Sequence, residues 1–156
     1  MNAIQAVGLT KKYKGVTAVD GLDLNIRSGE LFSLLGVNGA GKTTTIKMLS
    51  CLTQPTSGDA LLGGMSIKKD PAAVKRIIGV SPQATAVAPN LTVRENLELM
   101  CGVRGYSRAR SRERAAELSE EFGLGEISGR KAGKLSGGWQ RRLSIAMALT
   151  GQPEIL

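Results

Sequence analysis

Apolar positions follow two different rhythms along the chain. Up to about residue 90 they alternate with polar ones or gather in short runs, the pattern of strands. Beyond that point they recur every three or four residues, the pattern of helices with one buried face. In the first half, residues 3–9 read as a strand. Leu22, Leu24 and Ile26 alternate with Asp23 and Asn25 as a second, half-buried strand. Ser28-Gly29-Glu30 turns the chain into the apolar run Leu31-Phe32-Ser33-Leu34-Leu35, which reads as a buried strand. Thr43 to about Leu52 is predicted to be a helix with Ile46 and Leu49 inward, closed by the Pro55 and Gly58 region. Gly58–Leu62 reads as a further strand ended by Gly63-Gly64. Pro71–Arg76 reads as a short helix, and Ile77–Ser81 as a short strand before Pro82.

In the second half, Thr92-Val93-Arg94-Glu95 forms a capping box, in which hydroxyl and carboxylate satisfy the free N–H groups of a helix start. Leu97, Met100 and Val103 continue it as an apolar stripe. A second helix spans roughly Ser107 to Phe122, burying Ala115, Leu118 and Phe122, and Gly123 stops it. A third follows Ser136-Gly137-Gly138 to about Thr150, with Leu143, Ala146 and Leu149 on one face. The second helix is not built for its own stability. Arg108 and Arg112 lie four apart, as do Arg110 and Arg114, and such like-charge pairs repel by a few tenths of a kcal/mol. Its positive start and negative end also oppose the helix dipole, by roughly 0.3–1 kcal/mol per well-placed charge. The Arg-rich end is either a tolerated solvated face or a surface for an acidic partner or anionic lipid headgroups.

The chemistry sits immediately after the run at 31–35, in Gly36-Val37-Asn38-Gly39-Ala40-Gly41-Lys42-Thr43. A strand, a glycine-rich loop and a helix in that order make a phosphate site. Gly36, Gly39 and Gly41 allow backbone angles and close approaches that a Cβ blocks. Asn38, Ala40 and Thr44 complete the loop and the first helical turn, where backbone N–H groups converge on an anion at the positive helix end. Lys42 can reach the β- and γ-phosphates of a nucleoside triphosphate, and the Thr43 hydroxyl can ligate Mg²⁺.

Composition narrows the picture further. The 156 residues suffice for one domain with a real core, and no apolar stretch approaches the ~18 residues of a membrane-crossing helix. No secretory signal is expected. Cys51 and Cys101 lack metal-ligand spacing and the chain has no histidine, so both read as reduced, partly buried thiols in a cytosolic setting, and zinc and haem find no ligand set. The net charge of +8 raises the question of nucleic acid. Two Tyr, two Phe and one Trp are too few for base-stacking platforms, which weighs against a nucleic-acid groove and toward a solvated or protein-facing basic surface.

Three further motifs give the phosphate loop a family. Leu135-Ser136-Gly137-Gly138 opens a helix that continues as Arg141-Arg142-Leu143-Ser144-Ile145-Ala146, and this resembles the signature of ATP-binding cassette (ABC) transporter nucleotide-binding domains. Gln83, after a strand and Pro82, resembles that family's Q-loop glutamine, and Tyr13 sits where the family places an aromatic ring against adenine. The order Tyr13, phosphate loop, Gln83, helical segment, signature is also the family's. The resemblance implies an α/β fold of the phosphate-loop NTPase class, an ABC-type cassette. Its parts would be an antiparallel N-terminal β-subdomain, a partial parallel core sheet and an α-helical subdomain. They would divide as residues 1–89 for the β-rich nucleotide-binding core, 90–135 for the helical subdomain and 136–156 for the signature helix and the start of a strand.

The resemblance further implies ATP and Mg²⁺ as ligands. Tyr13 would stack adenine, and Gly36, Asn38, Gly39, Ala40, Gly41, Lys42, Thr43 and Thr44 would hold phosphates. Thr43 and Gln83 would lie near Mg²⁺, Lys42 and Gln83 serving catalysis. Ser136, Gly137 and Gly138 would meet the γ-phosphate held by a second ATP-binding domain in a head-to-tail dimer. Separate transmembrane permease subunits would place the protein peripherally at the inner, cytoplasmic face of a membrane. Asp59-Ala60-Leu61-Leu62-Gly63-Gly64 and the Asp70-Pro71 segment are most similar to the exporter branch.

Departures from the family pattern temper this. At Pro153-Glu154-Ile155-Leu156 the family begins a strand carrying an Asp for Mg²⁺ and a Glu that polarises water, followed later by a histidine, and this sequence has none of them. The expectation is a C-terminally truncated cassette that binds ATP and hydrolyses it very slowly or not at all. An unpaired strand edge would also favour self-association. Trp139 stands where the family often has a smaller or polar residue, and packs on the helical segment or meets a partner. The competing readings are a soluble ABC-type ATPase acting on nucleic acid or the ribosome, and a non-catalytic nucleotide-binding fragment.

Overall fold

Strands β1 (Asn2–Tyr13) and β2 (Val16–Arg27) form a long antiparallel hairpin closed by Lys14 and Gly15, both at positive φ, the backbone a two-residue hairpin turn requires. The other edge of β1 pairs antiparallel with β3 (Ser57–Leu62), with Ile4 opposite Leu62 and Ala6 opposite Ala60. β4 (Met65–Ser66) completes the order β2-β1-β3-β4. The computed structural model describes residues 1–156, divided into one unit of Met1–Ile78 with Ile155 and another of Gly79–Glu154 with Leu156. In the first unit, Ile4, Ala6, Leu9, Ile26, Ala60 and Leu62 of the sheet pack with Met48 of α1 (Lys42–Leu49) and Val74 of α2 (Pro71–Ile77).

Three expectations for this unit need correction. The run at 31–35 forms no strand, and Leu31 and Leu35 are 98% and 89% exposed. A strand of this composition is buried by the strands that pair with it and the elements packed on them, and nothing in the chain hydrogen-bonds to this one. On α1 the buried positions are Thr45 and Met48, while Ile46 is exposed and Leu49 half-buried. The expected strand at 77–81 shrinks to one parallel bridge between Ile78 and Ile155, with the Ile155 amide donating to the Ile77 carbonyl at 3.1 Å. That bridge is all that exists of a parallel core sheet.

The second unit is helical: α3 (Val93–Val103), α4 (Arg108–Glu121) and α5 (Gly137–Ala148), with short 3₁₀ turns at Gly125–Ile127 and Ala132–Lys134. Leu97, Ala115, Leu118, Leu124, Leu143 and Ala146 form its fully buried centre. The capping box forms as expected, with the Thr92 hydroxyl accepting from the Glu95 amide and the Glu95 carboxylate accepting from the Thr92 amide at 2.7 Å. That bonding holds the Glu95 carboxyl below the ordinary carboxylate range. The α3 stripe is displaced from the expected one. Val93, Leu97 and Cys101, spaced four apart, point inward together with Asn96, while Met100 is half-buried and Val103 exposed. Asn96 earns its burial by joining Ala88 and Thr92 through its amide. The division between units falls at Ile78/Gly79, earlier than the change of rhythm near residue 90, and the helix after Ser136 belongs with the other helices. No helix is long and apolar enough to cross a membrane.

Candidate functional site

Gly41 fixes the geometry of the phosphate loop. It caps the start of α1 at φ +81°, and a Cβ on it would lie 2.3 Å from the Ala18 carbonyl oxygen of β2. Loop and strand therefore approach more closely than any side chain allows. Gly39 also has positive φ, with open space beside it. Within the loop the Ala40 amide donates to Val37 at 3.2 Å, and the first helical bond runs from Thr45 to Gly41 at 2.8 Å. No side chain caps α1, and the amides of Lys42, Thr43 and Thr44 find no acceptor in the chain.

The Lys42 ammonium lies against the loop itself, donating to the carbonyls of Gly36 at 2.6 Å and Val37 at 2.7 Å. Thr43 is exposed with its hydroxyl uncommitted, whereas the buried Thr45 hydroxyl donates to the Gly41 carbonyl. Between loop and β2 lies a cavity of about 370 Å³, lined by Thr17, Ala18 and Asp20 on the strand side and by Leu34, Gly39 and Lys42 on the other. Three free amides at a positive helix end, one ammonium, one hydroxyl and a nearby carboxylate suit a phosphate chain with a divalent cation. The role of β2 as the wall of this cradle is set by the hairpin register and not by a sequence motif. The small Ala18 beside Asp20 was the one available signal.

Tyr13 ends β1 at the hairpin tip, opposite Val16, two residues along β2 from Ala18. It does not line the cavity and is 45% exposed. The Lys11 ammonium stands 5.1 Å from its ring centroid. The loop and Tyr13 belong to the first unit; Gln83, Ser136, Gly137 and Gly138 belong to the second.

Gln83 is exposed in a bend, and the carbonyl of the preceding Pro82 accepts a hydrogen bond from the Arg141 guanidinium of α5. Ser136, Gly137 and Gly138 are exposed at the start of α5, and the Ser136 hydroxyl makes no cap bond. Gln140 secures that turn instead, its side-chain amide donating to the carbonyls of Ala132 and Leu135. Trp139 packs against the helical core, so the simpler of its two readings holds within the unit. Arg142 stacks over its ring at 4.5 Å and reaches the Phe122 carbonyl at the end of α4. The sequence did not reveal that Arg141 and Arg142 are occupied within the chain.

On α4 the expected repulsion between Arg110 and Arg114 is offset locally. Arg110 pairs with Glu113 at 2.8 Å and Glu117 at 3.1 Å, and Arg114 pairs with Glu117 at 2.8 Å. Arg114 and then Arg110 hold the Glu117 carboxyl below its ordinary value. Arg108 and Arg112 are exposed and carry no ion pair. Cys51 and Cys101 are free, and burial pushes both thiols up. No group of three or more His, Cys, Asp or Glu side chains that could hold a metal ion is present.

A glycine loop pressed onto a strand and opening a helix start with free amides defines the phosphate-loop class of nucleotide-binding folds. More narrowly, the chain belongs to the ABC transporter family, whose model matches residues 19–156. It is 47% identical over 154 residues to the daunorubicin/doxorubicin resistance ATP-binding protein DrrA of Streptomyces peucetius, covering 99% of this chain and 47% of that protein. To the linearmycin resistance ATP-binding protein LnrL of Bacillus subtilis it is 42% identical over 153 residues, covering 98% of this chain and 49% of that one. Its fold matches the dimeric structure of MJ0796, a bacterial ABC transporter cassette, at a TM-score of 0.82 and 32% identity, over 96% of this chain and 70% of that chain. The chain thus spans about half the length of each of these two relatives.

Proposed function

We propose that this chain is the ATP-binding part of an ABC transporter motor domain that, in the whole protein, couples ATP binding and hydrolysis to export. The observation that carries this reading is the start of α1, where Gly41 brings the loop onto β2, the amides of Lys42, Thr43 and Thr44 lack an acceptor, and Lys42 lines the adjoining cavity. In this reading the amides of 36–44 and Lys42 hold the phosphates of ATP, and the Thr43 hydroxyl ligates Mg²⁺. Tyr13 stacks on the base. Gln83 acts near the metal and the attacking water, and faces the membrane subunits. Ser136 and the free amides at Gly137 and Gly138 serve the γ-phosphate of a second cassette, head to tail. MgATP supplies a polarised γ-phosphoryl group; the chain's own part is to position it.

The names of DrrA and LnrL, resistance ATP-binding proteins, support export as the direction of transport. In this reading separate permease subunits are the partners, and the protein works at the inner face of the membrane through them. The test is a thermal shift with MgATP beside Lys42→Ala. Ligand at a hundred times its dissociation constant stabilises by about 2.7 kcal/mol. A shift that Lys42→Ala abolishes supports the reading. No shift in a folded parent chain overturns it for these residues.

A further inference from the structure

Lys11 has a position that phosphate binding does not explain. It lies two residues before Tyr13 on β1, so both side chains leave the same face of the strand. Its ammonium is held at two points. It donates to the Gln54 carbonyl at 2.6 Å and stands 5.1 Å from the centre of the Tyr13 ring, within the range of a cation–π contact. Gln54 lies in the segment joining α1 to β3, just beyond the helix that the phosphate loop opens.

The same segment is tied to β1 twice more. The Thr56 amide donates to the Thr10 carbonyl at 2.8 Å, and the Thr56 hydroxyl accepts from the Lys12 amide at 3.0 Å. The strand end that carries Tyr13 is therefore braced against the chain leaving α1, and Lys11 extends that brace to the ring itself. A lysine free to serve phosphates would keep its ammonium in solvent or in the cavity. This one is half-buried, already bonded, and does not line the cavity.

We propose that Lys11 is a positioning residue for the base of the nucleotide: anchored on the Gln54 carbonyl, its ammonium holds the Tyr13 ring in the orientation that stacks a purine. The inference rests on the reading of Tyr13 as the base platform and adds the group that orients it. Lys11 then acts on the base and not on the phosphates, and its charge matters more than its length.

The test measures binding of MgATP and of magnesium tripolyphosphate, which has no base, by calorimetry on the 156-residue chain and on Lys11→Met, Lys11→Arg and Tyr13→Ala. Lys11→Met is expected to weaken MgATP about two- to five-fold, the size of an exposed cation–π contact, and to leave tripolyphosphate unchanged. Lys11→Arg keeps the cation and retains parent affinity. In a Tyr13→Ala background, Lys11→Met adds nothing. Equal losses for both ligands would make Lys11 a phosphate contact or a structural residue and overturn the proposal. Unchanged MgATP binding in Lys11→Met, with Tyr13→Ala impaired, would overturn Lys11 alone and leave the base platform standing. Unchanged binding in Tyr13→Ala would remove the platform and the proposal together, as would a parent chain that binds neither ligand. If Lys11→Met does not fold, an Arg variant that binds more weakly than the parent counts against the proposal in the same way.

Discussion

Two glycines of one loop differ in a single respect, and that difference can be measured. Gly39 and Gly41 both have positive φ, +89° and +81°, so alanine at either pays for a left-handed backbone, about 1–2 kcal/mol. At Gly39 nothing else happens, because no atom lies within 4 Å of the new Cβ. At Gly41 the new Cβ meets the Ala18 carbonyl oxygen at 2.3 Å and a Val19 methyl at 3.0 Å. Both neighbours belong to β2, whose ladder with β1 resists displacement. Forcing them apart adds an overpacking cost of roughly 1–3 kcal/mol.

Gly39→Ala should therefore lose about 1–2 kcal/mol, and Gly41→Ala a further 1–3 kcal/mol beyond that, in total about 2–5 kcal/mol. Urea unfolding followed by far-ultraviolet circular dichroism gives both losses from the same parent. Gly41→Ala should also weaken MgATP more than Gly39→Ala, since the strand it displaces is the wall of the cavity. Equal destabilisation by the two substitutions would refute the close approach of loop and strand, and with it the geometric basis of the cradle.

Further expectations concern the helical unit and the exposed run. Thr92→Ala should cost about 1 kcal/mol by removing the cap of α3. The Glu95 carboxyl, lowered chiefly by the Thr92 backbone amide and then by its hydroxyl, stabilises the fold above its unfolded value near 4.5 and loses that contribution as pH falls through the lower folded value. Unfolding of the parent and Glu95→Gln compared across pH should thus show a constant gap above about pH 5 that closes toward acid; a gap independent of pH would contradict the capping role. Leu143→Ala, at a fully buried site, should cost about 2–5 kcal/mol, whereas Leu31→Ala, at a site 98% exposed, should stay within about 0.5 kcal/mol. A large loss at Leu31 would mean that the run at 31–35 is buried in solution.

The parts of the fold that were legible in the sequence are those decided locally. Alternation at Leu22, Leu24 and Ile26 marks part of β2, and the segments 3–9 and Gly58–Leu62 fall within β1 and β3; the Thr92–Glu95 spacing marks the start of α3, and the glycine spacing at 36–41 marks the loop. What escaped depended on distant neighbours. Leu31-Phe32-Ser33-Leu34-Leu35 has the composition of a buried strand, but pairing is a property of two segments, and none of residues 1–156 pairs with this one. Ile46 and Val103 face outward because the packed face of a helix is chosen by what lies opposite it, which periodicity alone does not fix. Ala18 could not be assigned to the cradle before the hairpin register brought it beside Gly41. Likewise, the neighbours of Arg141 and Arg142, the Pro82 carbonyl and the Trp139 ring, are set by the packed structure and not by the motif that carries both arginines.

The helix starts separate structural from functional sequence signals. Four helices have eight residues or more, and α3 and α4 begin with a side-chain cap, from Thr92 and Ser107. α1 and α5 begin without one and carry the glycine motifs; the seven-residue α2 also lacks a side-chain cap, but Pro71 at its start removes one of the amides that would need it. Leaving a helix start uncapped forgoes about 1 kcal/mol, and a chain that caps α3 with a complete box has the means to cap the others. At Gly41 no side chain exists to cap, and at Ser136 a capable hydroxyl is present and unused. The amides so exposed have the same requirement in both places: an acceptor, best an anion, supplied from outside the helix. Under the proposed reading both find it in a nucleotide phosphate, α1 in the one its own loop holds and α5 in the one a second cassette holds. The stability forgone at the two helix starts would then be recovered only when ligand is bound, so nucleotide should stabilise the chain most strongly where its own side chains leave it least finished.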